Sequence, residues 1–415
     1  MGLPSYLCAA GAVAVGLYLV RRWRVRQWGR CTSQRDMTGK VVLVTGANSG
    51  LGLESTRLLA ERGAAVVMAC RDMKKAEEAL QKIRRHTQNG QLIPMELDLA
   101  DFDSIKSFAR HFKEQFSRLD VLMNNAGVVY PVEAHKRTAQ NYEIHFGVNH
   151  LGHFMLTGLL LDRLQTGTSS RIVIVASGLY KNGRFDLAHI ANGDNLKQEG
   201  YLNPAYANSK LCNVLFGRRL ARLLEGSGVH VYSCCPGWVY TGLSRHSRLS
   251  WLKMIPALPI MFLFMRTVGQ GVQTQLNCAI SEDLEKESGH MYVDCKRAQY
   301  APVAQDERAM DSLWDLSAQL TGAGLVGVLL TRFRATLALN AVYLALSVGL
   351  HSWSLDRQWA DPYLVVWTPG LLALYAVHRI VSVLHYYFYK RTALELCDPE
   401  LYEDSPWLQK YLHGS

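Results

Sequence analysis

VVLVTGANSGLGLESTRLLAERG, residues 41–63, reads as a strand, a glycine-rich turn and a helix in succession. VVLVT (41–45) is a continuous β-branched run, the pattern of a strand buried on both faces. LESTRLLAERG (53–63) carries apolar residues at helical spacing and stops at Gly63. Between them lies Thr45-Gly46-Ala47-Asn48-Ser49-Gly50-Leu51-Gly52. Glycines there let the turn tighten and let the backbone approach a pyrophosphate seated at the helix N-terminus. No Lys-Ser/Thr pair follows them, which argues against a triphosphate loop and leaves a dinucleotide.

The same rhythm continues outward to about residue 300. AAVVMA (64–69), LDVLMNN (119–125), RIVIVAS (171–177) and VHVYSCCP (229–236) are further buried-strand runs separated by helix-like segments such as 205–228. Parallel strands covered by helices on both faces have this signature, so the predicted fold class is α/β, a Rossmann-like doubly wound parallel sheet. The second strand ends at Cys70-Arg71-Asp72, with Arg71 where an NAD-preferring site often has its ribose-binding carboxylate. A guanidinium there pairs with a 2′-phosphate, which favours NADP(H).

Tyr206-Ala207-Asn208-Ser209-Lys210 puts a phenol and an ammonium one helical turn apart on one face. An ammonium beside a phenol favours the phenolate, so Tyr206 is expected to have a pKa lowered toward working pH and to act as general acid or base. By itself such a pair is commonplace. Here it follows the glycine turn, Asn124-Asn125-Ala126-Gly127 after a strand, and Ser177 at a strand end, and it precedes Pro236-Gly237.

These residues in this order resemble the classical short-chain dehydrogenase/reductase family over about residues 38–310. The resemblance implies a catalytic set of Asn149, Ser177, Tyr206 and Lys210. Ser177 would bind the substrate oxygen, Tyr206 would transfer the proton, Lys210 would hold the nicotinamide ribose, and Asn149 would support a water relay to Lys210. It implies cofactor contacts from Gly46, Asn48, Ser49, Gly50, Leu51, Gly52, Arg71, Asp98, Asn125, Ala126, Gly127, Tyr206, Lys210, Pro236, Gly237, Val239 and Thr241. Ala176 stands where many members have a second serine; Ser177 itself is retained. TGANSGLG, ACRD, the VNHLGHF around Asn149 and the apolar N-terminus are similar to the retinol-dehydrogenase-like, membrane-bound branch. That likeness implies NADP(H) as cofactor and a lipophilic alcohol or aldehyde as substrate, retinol/retinal first, with a steroid or other lipid ketone as the alternative. A membrane scaffold that keeps the cofactor fold without turnover is the rival from another class. The resemblance also favours a homodimer.

Composition and charge agree with a membrane-bound enzyme. The chain has 415 residues, 49% of them hydrophobic, and nine cysteines without metal-ligand spacing, which excludes disordered, collagen-like, disulfide-stapled and zinc-finger classes. The formal charge is +10, and half of it lies in residues 1–37, where six arginines face Asp36 alone. Arg21, Arg22, Arg24, Arg26 and Arg30 directly follow Leu3–Val20, an uncharged apolar run of 18 residues. At 1.5 Å per residue that run spans about 27 Å, close to the core of an endoplasmic-reticulum bilayer. Basic residues after the run, with none before it, read as an uncleaved anchor with the enzyme facing the cytosol. Lipid-droplet and mitochondrial membranes are the alternative locations. No basic patch or reader motif in the folded region points to nucleic acid, and no metal is expected.

Three organisational expectations complete the reading. Residues 1–37 form the anchor and basic arm, 38–320 the catalytic domain, and 321–415 a C-terminal extension. Trp251–Met265 is an apolar lid over the substrate, partly dipping into the membrane surface. In the extension, the uncharged runs 335–355 and 362–378 form a hydrophobic helical hairpin before an acidic tail, the second interrupted by Pro369, His378 and Arg379.

Overall fold

The computed structural model describes residues 3–166, 169–193, 203–240, 258–322, 342–349 and 369–396. They fall into two compact units, Met1–Thr321 and Gly322–Ser415.

The first unit opens with helix α1 (Leu3–Gln27) and then alternates strand and helix: β1 (Val41–Thr45), α2 (Gly50–Glu61), β2 (Ala65–Cys70), α3 (Met73–Arg84), β3 (Gln91–Glu96), α4 (Phe102–Gln115) and β4 (Val121–Asn124). A π-turn (Phe146–Leu151) leads into α5 (Gly152–Leu164), followed by β5 (Ser170–Val175), α6 (Pro204–Leu223) and β6 (Val229–Cys235). Short α7 (Leu258–Phe264), α8 (Gln273–Ile280), the hairpin β7 (His290–Val293) and β8 (Lys296–Ala298), and α9 (Glu307–Leu320) complete it. The sheet order is β3-β2-β1-β4-β5-β6-β7-β8, parallel throughout except for β8. The chain reverses direction across the sheet between β1 and β4, where open α/β sheets place their ligand crevice.

Strand periodicity divides the core. Leu43, Val67, Leu122 and Ile172 point to one face, against Phe108 and Phe112 of α4, Leu160 of α5 and Leu215 of α6. Their neighbours Val42, Val66, Met68, Met123 and Val173 point to the other, against Leu59 of α2, Ile83 of α3 and Leu276 of α8. Both faces are covered, as the unbroken apolar runs require. At the opposite sheet end the buried Asp120 carboxylate accepts from Val41 N at 2.9 Å and pairs with Lys40 at 3.0 Å and Arg118 at 3.2 Å, tying β1 to β4.

Three strands carry no readable run. β3 contains Pro94 and is the sheet edge, where a missing N–H is tolerated. β7 and β8 are joined through Asp294 and Cys295, both left-handed at φ +53° and +57°. A two-residue hairpin of that geometry usually signals itself as Asn-Gly or Asp-Gly, and Asp-Cys does not.

In the second unit residues 342–349 are helical and α10 runs Pro369–Leu396. Pro369 opens α10 instead of interrupting it, consistent with its fixed φ and missing donor at a first helical turn. His378 and Arg379 do not break it either. His378 Nε2 meets Ser347 Oγ at 2.9 Å, Tyr343 stacks on both His378 and His385, and Arg379 Nε donates to Tyr375 Oη at 2.9 Å. Among the described residues no helix is long and apolar enough to cross a membrane. The first expected C-terminal run is described only at 342–349, and the acidic tail beyond Leu396 lies outside the described residues.

Phe112 has no exposed surface, stacks on Phe108 and meets the Phe116 ring at a tilt. Phe112→Ala should destabilise the first unit by about 3–5 kcal/mol, through lost transfer energy and the cavity left behind. A thermal or denaturant melt of the variant, compared with wild type, checks it.

Candidate active site

The site is assembled at the C-terminal ends of β1, β4, β5 and β6. Gly46 and Gly50 adopt φ of +67° and +54°, which favours glycine at both corners of the turn. Gly52 has a different requirement: a Cβ there would stand 2.3 Å from Gly46 O and 2.6 Å from Asn125 Nδ2. α2 thus starts flush against the β4 loop. Its N-cap, Ser49, makes no side-chain cap bond, so the first N–H groups of α2 are left facing the crevice. Uncapped N–H groups behind a glycine turn suit the pyrophosphate of a dinucleotide.

Thr45 joins the turn to β4. Its Oγ1 accepts from Asn125 N at 3.0 Å and Ala126 N at 2.9 Å, while Asn125 Nδ2 donates to Thr45 O at 2.8 Å. The Thr45 hydroxyl lies 2.9 Å from His153 Nε2, and His153 Nδ1 lies 3.0 Å from Asn149 O. Burial pushes the imidazole down to about 4, so it is neutral at physiological pH. The network then assigns the proton to Nδ1, donating to Asn149 O, with Nε2 accepting from Thr45. His153 was not legible as a site residue, although its spacing of four from Asn149 is helical.

Asn149 sits in the π-turn with its amide committed. Oδ1 accepts from Val128 N at 2.8 Å, and Nδ2 donates to Val128 O at 3.2 Å and Ser209 Oγ at 3.0 Å. Asn149 and Lys210 converge on Gly127, where a Cβ would stand 3.4 Å from Asn149 Oδ1 and 3.7 Å from Lys210 Nζ. The bare glycine leaves that space open.

Tyr206 lies in the first turn of α6, whose N-cap, Asn203, accepts from Tyr206 N at 3.0 Å and donates to Tyr130 O at 2.7 Å. The Ser177 side chain hydrogen-bonds the phenol from the end of β5. Lys210 Nζ is 5.7 Å from the Tyr206 ring centroid and donates to Val175 O at 3.0 Å. Here the structure corrects the sequence expectation. Burial pushes the phenol up to about 12, with Ser177 pulling the other way, and pushes Lys210 down to about 8. One helical turn brings the ammonium onto the same face, but desolvation outweighs its charge at that distance.

Around the cofactor crevice, Arg71 is exposed at the end of β2. The neighbouring Cys70 thiol receives the backbone N–H groups of Ala47 and Asn48, so this strand end abuts the turn. Asp98 follows β3 and accepts from Ala100 N at 2.9 Å. Asp72 is spent as the N-cap of α3 and pairs with Lys75, so it is not poised for a ribose. After Pro236, Gly237 takes φ +81°, and the buried Arg266, which carried no sequence signal, lies beneath it. Val239 packs on Gly271 near Leu51. Thr241 lies outside the described residues. Among the described residues no cluster of His, Cys, Asp or Glu is placed to hold a metal.

The family described as short chain dehydrogenase matches residues 40–190, and that described as Transmembrane protein 138 matches residues 316–411. Retinol dehydrogenase 12 of Homo sapiens is 42% identical over 294 residues, covering 71% of this chain and 90% of the relative. Retinol dehydrogenase 11 of Homo sapiens is 44% identical over 295 residues, covering 71% and 89%. Among solved structures, an uncharacterised protein from Mycobacterium Paratuberculosis superposes with a TM-score of 0.55 at 32% identity, covering 71% of this chain and 98% of that one.

Gly52→Ala forces the turn away from Asn125. Dinucleotide affinity should drop at least tenfold, read by quenching of intrinsic fluorescence on cofactor titration; unchanged affinity would remove the turn from the binding site.

Proposed function

The chain belongs to the classical short-chain dehydrogenase/reductase family, in its retinol-dehydrogenase-like branch, and we propose that it is a membrane-bound NADP(H)-dependent enzyme acting on lipophilic alcohols and aldehydes, retinol/retinal first. The observation that carries the reading is the convergence of Ser177, Tyr206 and Lys210 beside the uncapped N-terminus of α2. When bound, the nicotinamide supplies or takes the hydride at the substrate's carbinol carbon. Ser177 donates to the substrate oxygen and holds it against the Tyr206 hydroxyl. In reduction Tyr206 gives its proton to that oxygen; in oxidation it takes one back. Lys210, held by Val175 O, binds the ribose hydroxyls and balances charge as the phenolate forms. Asn149, clamped by Val128, Ser209 and the carbonyl bond to His153, keeps the π-turn and the space at Gly127 in place for a proton path to Lys210.

The names of the relatives favour a retinoid substrate. Exposed Arg71 beside the turn favours the 2′-phosphate of NADP(H). The apolar run Leu3–Val20 and the arginines after it support anchorage in the endoplasmic-reticulum membrane with the catalytic domain cytosolic. The match of residues 316–411 to a transmembrane-protein family supports a membrane role for the extension.

Tyr206→Phe should abolish turnover of retinal with NADPH while leaving the melting temperature unchanged. A panel of retinal, a steroid ketone and a medium-chain aldehyde ranks the substrate classes. With the phenol pushed up to about 12, it keeps its proton at neutral pH. The logarithm of kcat/KM for oxidation should therefore rise with near-unit slope from pH 6 to 8, and that for reduction should stay flat. A flat oxidation profile would place the catalytic proton elsewhere. Arg71→Ala should raise the KM for NADPH at least tenfold and leave that for NADH within about twofold; equal shifts would remove Arg71 from the 2′-phosphate.

A further inference from the structure

α7 is a short helix that turns its large side chains outward. Leu258, Ile260, Phe262 and Phe264 are each 44–56% exposed. Residues 251–257 of the expected lid lie outside the described residues, and the described remainder is attached to α1. The Arg24 guanidinium lies 4.0 Å over the Phe264 ring and that of Arg21 5.7 Å over Phe262. Alongside, α1 exposes Tyr18, Leu19, Val20 and Trp23. Two helices distant in sequence thus present one outward apolar surface with arginines set among aromatic rings.

That mixture has a specific chemistry. Aromatic rings and long cationic side chains meet at the boundary where a bilayer's acyl chains give way to phosphates. The charge favours lipid over a protein partner: residues 21–30 hold five arginines, and no carboxylate precedes Asp36. Arginine also matches phosphate geometry.

The same surface is fastened to the site. Trp28 is buried with Arg21 and Arg266 each 4.8 Å from its ring centroid. Arg266 pairs with Asp294 at 2.6 Å, and Asp294 Oδ1 accepts from Gly29 N at 3.3 Å. The Arg266 backbone bonds Trp238 O and Tyr240 N, so the strip after Gly237 is held to the base of the arm. Trp238 and Tyr240 expose their rings at this edge.

We propose that α1 from Val15 to Gln27 and α7 form one platform seated in the headgroup layer of an anionic phospholipid membrane, and that the site takes its lipophilic substrate from that layer past Trp238 and Tyr240. The inference rests on the membrane-bound reading above and adds the second contact and the entry side. The test uses the full chain in phosphatidylcholine vesicles with and without phosphatidylserine, containing a phospholipid that carries a diazirine at the top of its acyl chain. Photolabel is expected on residues 258–264 as well as on α1, several-fold weaker without phosphatidylserine. Ile260→Asp/Phe262→Asp should lose the α7 label and at least tenfold in kcat/KM for vesicle-borne retinal, while a short water-soluble aldehyde stays within twofold. Label on α1 alone would overturn the platform, give the α7 face to a protein partner and leave the enzyme reading standing. Equal labelling in both vesicles would overturn the anionic assignment. Equal loss with both aldehydes would overturn substrate entry from the lipid, whatever the melting temperature. Wild-type turnover in the same vesicles reads the proposed activity separately.

Discussion

The hydroxyl of Thr45 is the point on which the candidate active site hangs. It stands where β1 ends and the sheet reverses direction, and it receives the first two N–H groups of the β4 loop. Its proton goes to His153, which in turn holds the carbonyl of Asn149. One buried oxygen therefore sets three positions at once: the glycine turn, the Asn125–Gly127 loop and the π-turn carrying Asn149. Buried polar networks of this kind tolerate little rearrangement, because every unpaired member costs the desolvation of its group.

The second constraint is burial at Tyr206 and Lys210. A phenol pushed up and an ammonium pushed down are both displaced toward neutrality by the same low-dielectric surroundings. The contact that moderates the phenol is the Ser177 hydroxyl, not the lysine one turn away.

Outside the candidate site, the arm and α7 form one exposed apolar surface that is tied to the catalytic unit. Trp28 and Arg266 form the joint, with Asp294 held left-handed at the β7–β8 turn. Backbone strain of about 1–3 kcal/mol per such residue persists only where the surroundings demand it. Here the demand comes from the two-residue turn, which needs a positive φ at both Asp294 and Cys295, while the Asp294 carboxylate serves Arg266 and Gly29 N.

Of the eight strands among the described residues, five were legible in periodicity, and the glycine turn and the Tyr206–Lys210 pair in short-range spacing, whereas Asn149 and Ser177 were singled out only through the family resemblance. β3 with its proline and the Asp-Cys hairpin were not, since an edge position and a strained turn lack the usual composition. Asn203 could have been found as a cap before Pro204; Arg266 had no signal, because its partners Trp28, Gly237 and Asp294 lie in distant parts of the chain. By itself the sequence determined the fold class and the family, because these depend on which residue types recur at which local interval and in which order. Only the tertiary structure decided that His153 is a neutral link across 108 residues to Thr45, and that Tyr206 keeps its proton. Both outcomes depend on how far water is excluded, which is a property of the packed core and not of any local stretch of chain.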